Sequence, residues 1–160
     1  MENLKFNITK EKIYQIKYEL IKEALKDIGG LKIKVYGASM LPTFKPDDRV
    51  IIRPVNRLCI REKNCVLFGC MKHDLVFHRI IKINKNSIIT KGDNSEESEI
   101  IFPSQIIGVF DETRDSSDLN QMEEKMYISS FDGLSIKLVV KKGILKKISL
   151  EGSHESSRSR

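Results

Sequence analysis

The chain has 160 residues and lacks several things that would place it in a special class. It has no tryptophan, four prolines, three cysteines and no internal repeat. No run approaches the ~20 apolar residues that a membrane-spanning helix needs, so integral membrane insertion is not expected. The first residues lack the continuous apolar centre of an export signal, which points to a soluble, cytoplasmic protein. Cys59, Cys65 and Cys70 are odd in number and cannot all pair. Reduced thiols are therefore expected, with no disulfide framework. A basic stripe is missing as well, although the formal charge is +6. Lys10, Lys12, Lys17, Lys22 and Lys26 alternate with Glu11, Glu19, Glu23 and Asp27, while Glu96, Glu97 and Glu99 form an acidic knot. Such mixing reads as a solvated surface, and no nucleic-acid partner is expected.

What is present is ordinary for a globular protein: 40% hydrophobic and 31% charged residues. That composition and length suit one domain with modest appendages. Ile13, Ile16, Leu20, Ile21, Ala24, Leu25 and Ile28 recur at the spacing of one helical face, and Gly29-Gly30 supplies its C-cap. Residues 1–30 are thus expected to form an amphipathic helix that packs on the core, or serves a homodimer or docking partner.

Beyond Gly30 the texture changes to short Ile- and Val-rich runs, which predict strands at Leu31–Tyr36, Arg49–Pro54, Asn64–Gly69, Leu75–Asn84, Ser87–Thr90 and Ile106–Phe110. Turn-forming junctions separate them, so residues 31–111 are expected to make a mainly β core. Residues 112–125 are polar and read as a linker or loop. Met126–Phe131 and Leu134–Val140 flank Asp132-Gly133, a hairpin signal, with Ile144–Leu150 as a third strand. Residues 126–151 are accordingly expected to be a small β hairpin appendage, and 152–160 a disordered tail.

Three segments each place a chemically useful side chain beside a turn. In Gly37-Ala38-Ser39-Met40-Leu41-Pro42-Thr43 a serine follows a strand, where a tight turn exposes its hydroxyl and frees backbone N–H groups. In Leu75-Val76-Phe77-His78-Arg79-Ile80-Ile81 an imidazole interrupts an apolar strand. Alternation puts His78 on one face with Val76 and Ile80, and Arg79 on the other with Phe77 and Ile81. Thr90-Lys91-Gly92-Asp93-Asn94 turns through glycine and presents a carboxylate. Taken singly, each is also what an ordinary loop or a structural histidine provides.

Taken together and in this order, Gly-x-Ser-Met-x-Pro-Thr, His-Arg-Ile and Lys-Gly-Asp-Asn resemble the signal peptidase I family and its LexA-like and cytoplasmic maturation relatives. The likeness runs from about Lys34 to Val109. Lys45-Pro46-Asp47-Asp48-Arg49-Val50 is similar to the family's Pro-Gly-Asp-x-Val turn, with Asp47 in place of glycine, and Ile106-Ile107-Gly108-Val109 to its closing strand. The resemblance implies a signal-peptidase/LexA-like β-rich catalytic core and a soluble serine endopeptidase that cuts a specific precursor protein or peptide through an acyl-enzyme, without cofactor or metal.

Residue by residue, the resemblance implies Ser39 as nucleophile, with its own N–H as oxyanion donor and Met40 and Pro42 as supports. It makes His78 the general base, as in the histidine-using branch of the family. Asp93 ranks first as the acid that orients His78, and Glu99 second, because Ser98-Glu99 stands where the family has aspartates. Arg79 is expected to organise a neighbouring carboxylate, since its charge does not titrate near neutrality.

Three other readings compete. A LexA-like repressor needs a DNA-binding domain, for which about 30 preceding residues are too few. Cys65, Cys70, His73 and His78 are capable metal ligands, but their C-x4-C-x2-H-x4-H spacing is unlike a zinc knuckle. A non-catalytic peptide- or partner-binding module on the same fold is the alternative to the enzyme.

Overall fold

The computed structural model describes residues 9–70, 74–131 and 133–152. One helix, α1 (Lys10–Ile28), precedes ten strands: β1 (Leu31–Lys34), β2 (Arg49–Pro54), β3 (Cys65–Cys70), β4 (Asp74–Ile83), β5 (Ile88–Lys91), β6 (Ser98–Ile101), β7 (Ile106–Phe110), β8 (Lys125–Phe131), β9 (Leu134–Lys141) and β10 (Ile144–Gly152). The strands form one sheet in the order β6-β5-β4-β3-β7-β2-β1-β10-β9-β8. Every pairing is antiparallel except β1 with β10, which meet in parallel at Lys32 and Ile144. The fold is mainly β with an N-terminal helix, as the sequence texture leads one to expect.

Thr9 caps α1 by accepting a hydrogen bond from the Lys12 N–H at 3.1 Å, and Gly29 closes it in the left-handed region at φ 89°. The helix starts three residues before the apolar periodicity does, because its first turn is polar and held by this cap. Its apolar side, Leu20, Ile21, Ala24 and Leu25, is fully covered by the chain's own sheet. Of the two expected uses of this face, packing on the core is the one observed. Burying each Leu or Ile there contributes ~1.5–3 kcal/mol before entropy is counted. Gly108 permits the close approach: a Cβ at that position would stand 2.1 Å from Ile52 Cγ2 and 2.8 Å from Leu25 Cδ2.

α1 also fixes the start of β4. Lys17 Nζ contacts Asp74 Oδ2 at 2.6 Å, and Tyr18 donates its hydroxyl to the Asp74 carbonyl at 3.0 Å while lying over Gly69. Burial and these carboxylate contacts hold the Tyr18 hydroxyl well above its usual range.

Two expectations about the C-terminal third need correction. β8, β9 and β10 are a three-stranded meander that continues the main sheet, not a separate hairpin appendage. Tyr127, Leu134, Ile136, Leu138 and Val140 belong to the same core as α1, β1 and β2. The alternation of β9, with every second residue buried, is what a strand shared between core and solvent requires. Residues 112–124 are the expected loop and not a linker, because they pack on the core; only Lys125 belongs to β8. A 3-10 turn at Ser116–Leu119 buries Leu119, Arg114 donates to the Gly29 carbonyl at 2.9 Å, and Asn120 accepts a hydrogen bond from the Lys32 ammonium. Gly152, expected to begin the tail, instead ends β10 opposite Leu134, while residues 153–160 of that tail, residues 1–8 of the expected helix, His73 and Asp132 lie outside the described residues; Gly133, the other turn residue, has φ 82°.

The second core lies between β3, β4, β5 and β7, with Val66, Phe68, Ile80, Ile88, Ile106 and Val109 buried. β4 and β1 are separated in the sheet by β3, β7 and β2, yet both line one cleft. The sheet is therefore curled, and its concave side carries the segments singled out by sequence.

Candidate active site

After β1 the chain turns through Gly37, whose φ of 73° is a conformation that suits glycine, and presents Ser39 half-buried at the start of a turn. Met40 points inward and is fully buried, and Phe44 stacks edge-on against Phe77 and Phe110. The serine loop is thus anchored by apolar packing in the residues that follow the hydroxyl. The Leu41–Pro42 peptide is cis.

His78 sits near the middle of β4, on the face with Val76 and Ile80 and edge-on to Phe68. Its Nε2 lies 3.1 Å from Ser39 Oγ, and its Nδ1 lies 2.9 Å from Glu99 Oε1. Glu99 reaches it from β6, and the same oxygen accepts the Thr90 hydroxyl at 2.7 Å; Thr90 is fully buried. A carboxylate on Nδ1 holds a proton there and leaves Nε2 as the acceptor facing the serine, which is the tautomer that general-base chemistry needs. Ser39, His78 and Glu99 therefore form one continuous hydrogen-bonded line.

Asp93, ranked first as the orienting acid, does not touch His78. Arg79 holds it at two points, Nε to Oδ1 and Nη2 to Oδ2, both at 2.8 Å, and Thr43 donates to Oδ2 at 2.6 Å. This pairing keeps the Asp93 carboxyl below the usual carboxylate range, the Arg79 contact being the main cause. Alternation explains the reversal. His78 and Arg79 project from opposite faces of β4, so the acid that meets Arg79 is not the one that meets the imidazole. Glu99 lies beyond the turn on a strand the sequence reading missed, because β6 is only four residues long and two of them are polar.

Asp93 still bears on the site, through the backbone. Asn94 N–H donates to the Ser39 carbonyl at 2.7 Å, the Asn94 amide to the Ala38 carbonyl at 3.2 Å, and Asp93 N–H approaches Met40 Sδ at 3.5 Å. Gly92 is the tightest point: a Cβ there would stand 2.7 Å from the Ser39 carbonyl oxygen and 3.0 Å from His78 Nε2. Thr43, Thr90 and Gly92 are the contributors that reading the sequence did not single out. Each lay inside a recognised segment, but nothing in its residue type announced what it touches.

The cleft has a volume of about 680 Å³ and is lined by Ser39, His78, Glu99 and the exposed runs of β1 and β4. β4 pairs with β5 only from Arg79 onward, so Leu75–His78 have one free edge. β1 touches β10 at a single register, which leaves the cleft-facing edge of Lys34 and Tyr36 open as well. Both edges flank the hydroxyl of Ser39, whose backbone N–H donates to nothing among the described residues.

Cys65 is buried, Cys70 half-buried and Cys59 exposed, all free. Burial pushes the Cys65 thiol up to about 11. Among the described residues no group of three or more His, Cys, Asp or Glu could hold a metal ion. None of their helices is long and apolar enough to cross a membrane. No protein-family model, curated protein or solved structure matches this chain.

Proposed function

We propose that this chain is a serine endopeptidase of signal-peptidase-like type, acting on a precursor protein or peptide. The observation that carries the reading is the hydrogen-bonded line Ser39–His78–Glu99 at the wall of a cleft with two open strand edges. A peptide laid along those edges pairs through its backbone, and its carbonyl is brought to the hydroxyl. His78 Nε2 takes the Ser39 proton as Oγ bonds to the carbonyl carbon, and the oxyanion takes the Ser39 N–H. Collapse breaks the C–N bond, and His78 returns the proton to the leaving amine. Water, deprotonated by the same nitrogen, then releases the acyl group and regenerates Ser39.

Glu99 supports the imidazolium formed in each half-reaction, a role the sequence resemblance gave first to Asp93. The contact between Glu99 and His78 also favours the enzyme over a non-catalytic binding module, because a module has no use for an oriented imidazole beside a hydroxyl. A cytoplasmic setting accords with the three free thiols.

Reaction with a phosphonylating serine probe, read by intact mass and peptide mapping, tests the mechanism. Labelling at Ser39 that vanishes in His78→Ala is the expected result. Peptide cleavage that persists unchanged in Ser39→Ala overturns it.

A further inference from the structure

The cleft that holds Ser39 is strongly biased in charge. Besides apolar walls such as Leu67, Leu75 and Phe77, it is lined by Lys32, Lys34, Arg49 and Lys146, and Glu99 is its one carboxylate among the described residues. Glu99 is already engaged by His78 and Thr90.

The basic groups are set against one another. Lys34 on β1 lies directly opposite Arg49 on β2, so the two side chains share a face of the sheet. Like charges in that register destabilise a strand pair. Lys32 lies two residues before Lys34 on the same face; its ammonium is buried and bonded to Asn120, a neutral group. Burial first, then Arg49 and Lys142, pull the Lys32 ammonium below the usual lysine range. Among the described residues the only ion pair to this cluster is Lys34 with Asp47 at 3.8 Å, on a largely exposed carboxylate. Arg49 and Lys146 have none among the described residues. A chain with mixed charge elsewhere thus gathers four cationic side chains in the wall of this cleft, opposed only by the exposed Asp47 near Lys34 and by Asp115 near Lys32 among the described residues.

We infer that the cleft selects an extended peptide segment carrying acidic residues close to the bond that is cut. The inference rests on the peptidase reading and specifies its substrate class. Lys34 precedes Ser39 by five residues, and five extended residues span at most ~18 Å. The acidic positions therefore fall within about five residues of the scissile bond. Open backbone edges beside the charges favour a peptide over a nucleic acid, whose phosphates would find no strand partner use for those amides and carbonyls.

The test is digestion of a diverse peptide library by the wild type, by Ser39→Ala and by Lys34→Glu/Arg49→Glu, both charge sites being exposed and the fold of each variant being checked by circular dichroism. Asp and Glu should be enriched near the wild-type cut sites, by about 1.5- to 5-fold per acidic position, as exposed ion pairs allow. The enrichment should vanish or invert toward Lys and Arg in the double variant, and shrink at high salt. Ser39-dependent cleavage without acidic enrichment overturns this inference and leaves the peptidase reading standing. If nothing is cut in a Ser39-dependent way, the peptidase reading fails. Affinity selection of the same library on immobilised Ser39→Ala protein then decides the charge preference alone. Acidic peptides captured by it and not by Ser39→Ala/Lys34→Glu/Arg49→Glu support the cleft's selectivity; equal capture by both overturns it. Displacement of captured peptides by a single-stranded oligonucleotide at equal charge also counts against a peptide occupant.

Discussion

Arg79 grips Asp93 at two points, both 2.8 Å, and each member of the pair is adjacent in sequence to a residue that borders the reactive hydroxyl. Arg79 follows His78, and Asp93 follows Gly92, whose backbone lies against both His78 and Ser39. The ion pair therefore ties the strand of the imidazole to the loop that buttresses the serine. It bears on the geometry of the site while bonding to neither the Ser39 hydroxyl nor the His78 ring.

Glu99→Gln and Asp93→Asn should consequently separate. Glu99→Gln leaves the shape but removes the charge on Nδ1, so turnover should fall by ~10²–10⁴-fold with little change in thermal stability. Asp93→Asn should lower stability by about 1–3 kcal/mol, by leaving Arg79 without its carboxylate. Paired thermal melts and cleavage rates check both; a larger melting loss for Glu99→Gln than for Asp93→Asn contradicts the assignment.

The same carboxylate makes a pH prediction. Asp93 has a folded value below its unfolded one, so its contribution is complete above the unfolded value, ~4, and is lost as pH falls through the folded value. Urea midpoints of the wild type should therefore drop below about pH 4 more steeply than those of Asp93→Asn. Parallel curves for the two proteins would show that the Arg79 contact contributes nothing to acid stability.

Gly92→Ala should damage activity out of proportion to stability. The added methyl meets Ser95 Oγ at 2.6 Å and the Ser39 carbonyl oxygen at 2.7 Å, with the imidazole nitrogen at 3.0 Å, so the Ser39 backbone must shift against the Gly92 turn. Displacement of about 1 Å at such a contact is worth ~100-fold in rate. A crystal structure of the variant, compared with its kcat, provides the check.

Alkylation should distinguish the thiols. Cys59 is exposed and should react first with iodoacetamide at pH 8, whereas Cys65 should stay unmodified until the protein unfolds. Because the folded Cys65 value, about 11, exceeds the unfolded one, stability from this group is full below about pH 9 and declines between about 9 and 11. Peptide mapping after timed alkylation reads the order directly.

Leu138→Ala should destabilise the whole protein, not a detachable C-terminal piece. Leu138 is fully buried in the core shared with α1, and its truncation should cost about 2–5 kcal/mol. Far-ultraviolet circular dichroism in urea should show one transition moved to lower urea. A second, separate transition would mean that β8–β10 fold independently.

Much of this organisation is legible in sequence because its signals are local. The helical period through Leu20 and Leu25, the glycine cap at Gly29 and the apolar runs of β2 and β7 each depend on neighbours within a few residues. Ser39 and His78 also stood out, since a serine in a Gly-to-Pro turn and an imidazole in an apolar strand are locally conspicuous. The failures involve long-range register. Whether Asp93 or Glu99 reaches His78 is decided by which face of β4 each meets. Whether β10 stands apart or joins β1 is decided by one parallel contact, Lys32 with Ile144, across more than a hundred residues. Neither leaves a trace in composition or spacing.

That parallel contact also joins the two ends of the fold around one groove. The serine, the imidazole and Glu99 all emerge from the ribosome before β8, but Ile144, Leu145 and Lys146, which line the far side of the cleft, belong to β10. Synthesis of Ser39, His78 and Glu99 is thus complete before the residues that wall the cleft's far side have been added. Because β8–β10 share one core with α1, the groove beside Ser39 is an outcome of folding the whole chain and not of its first hundred residues.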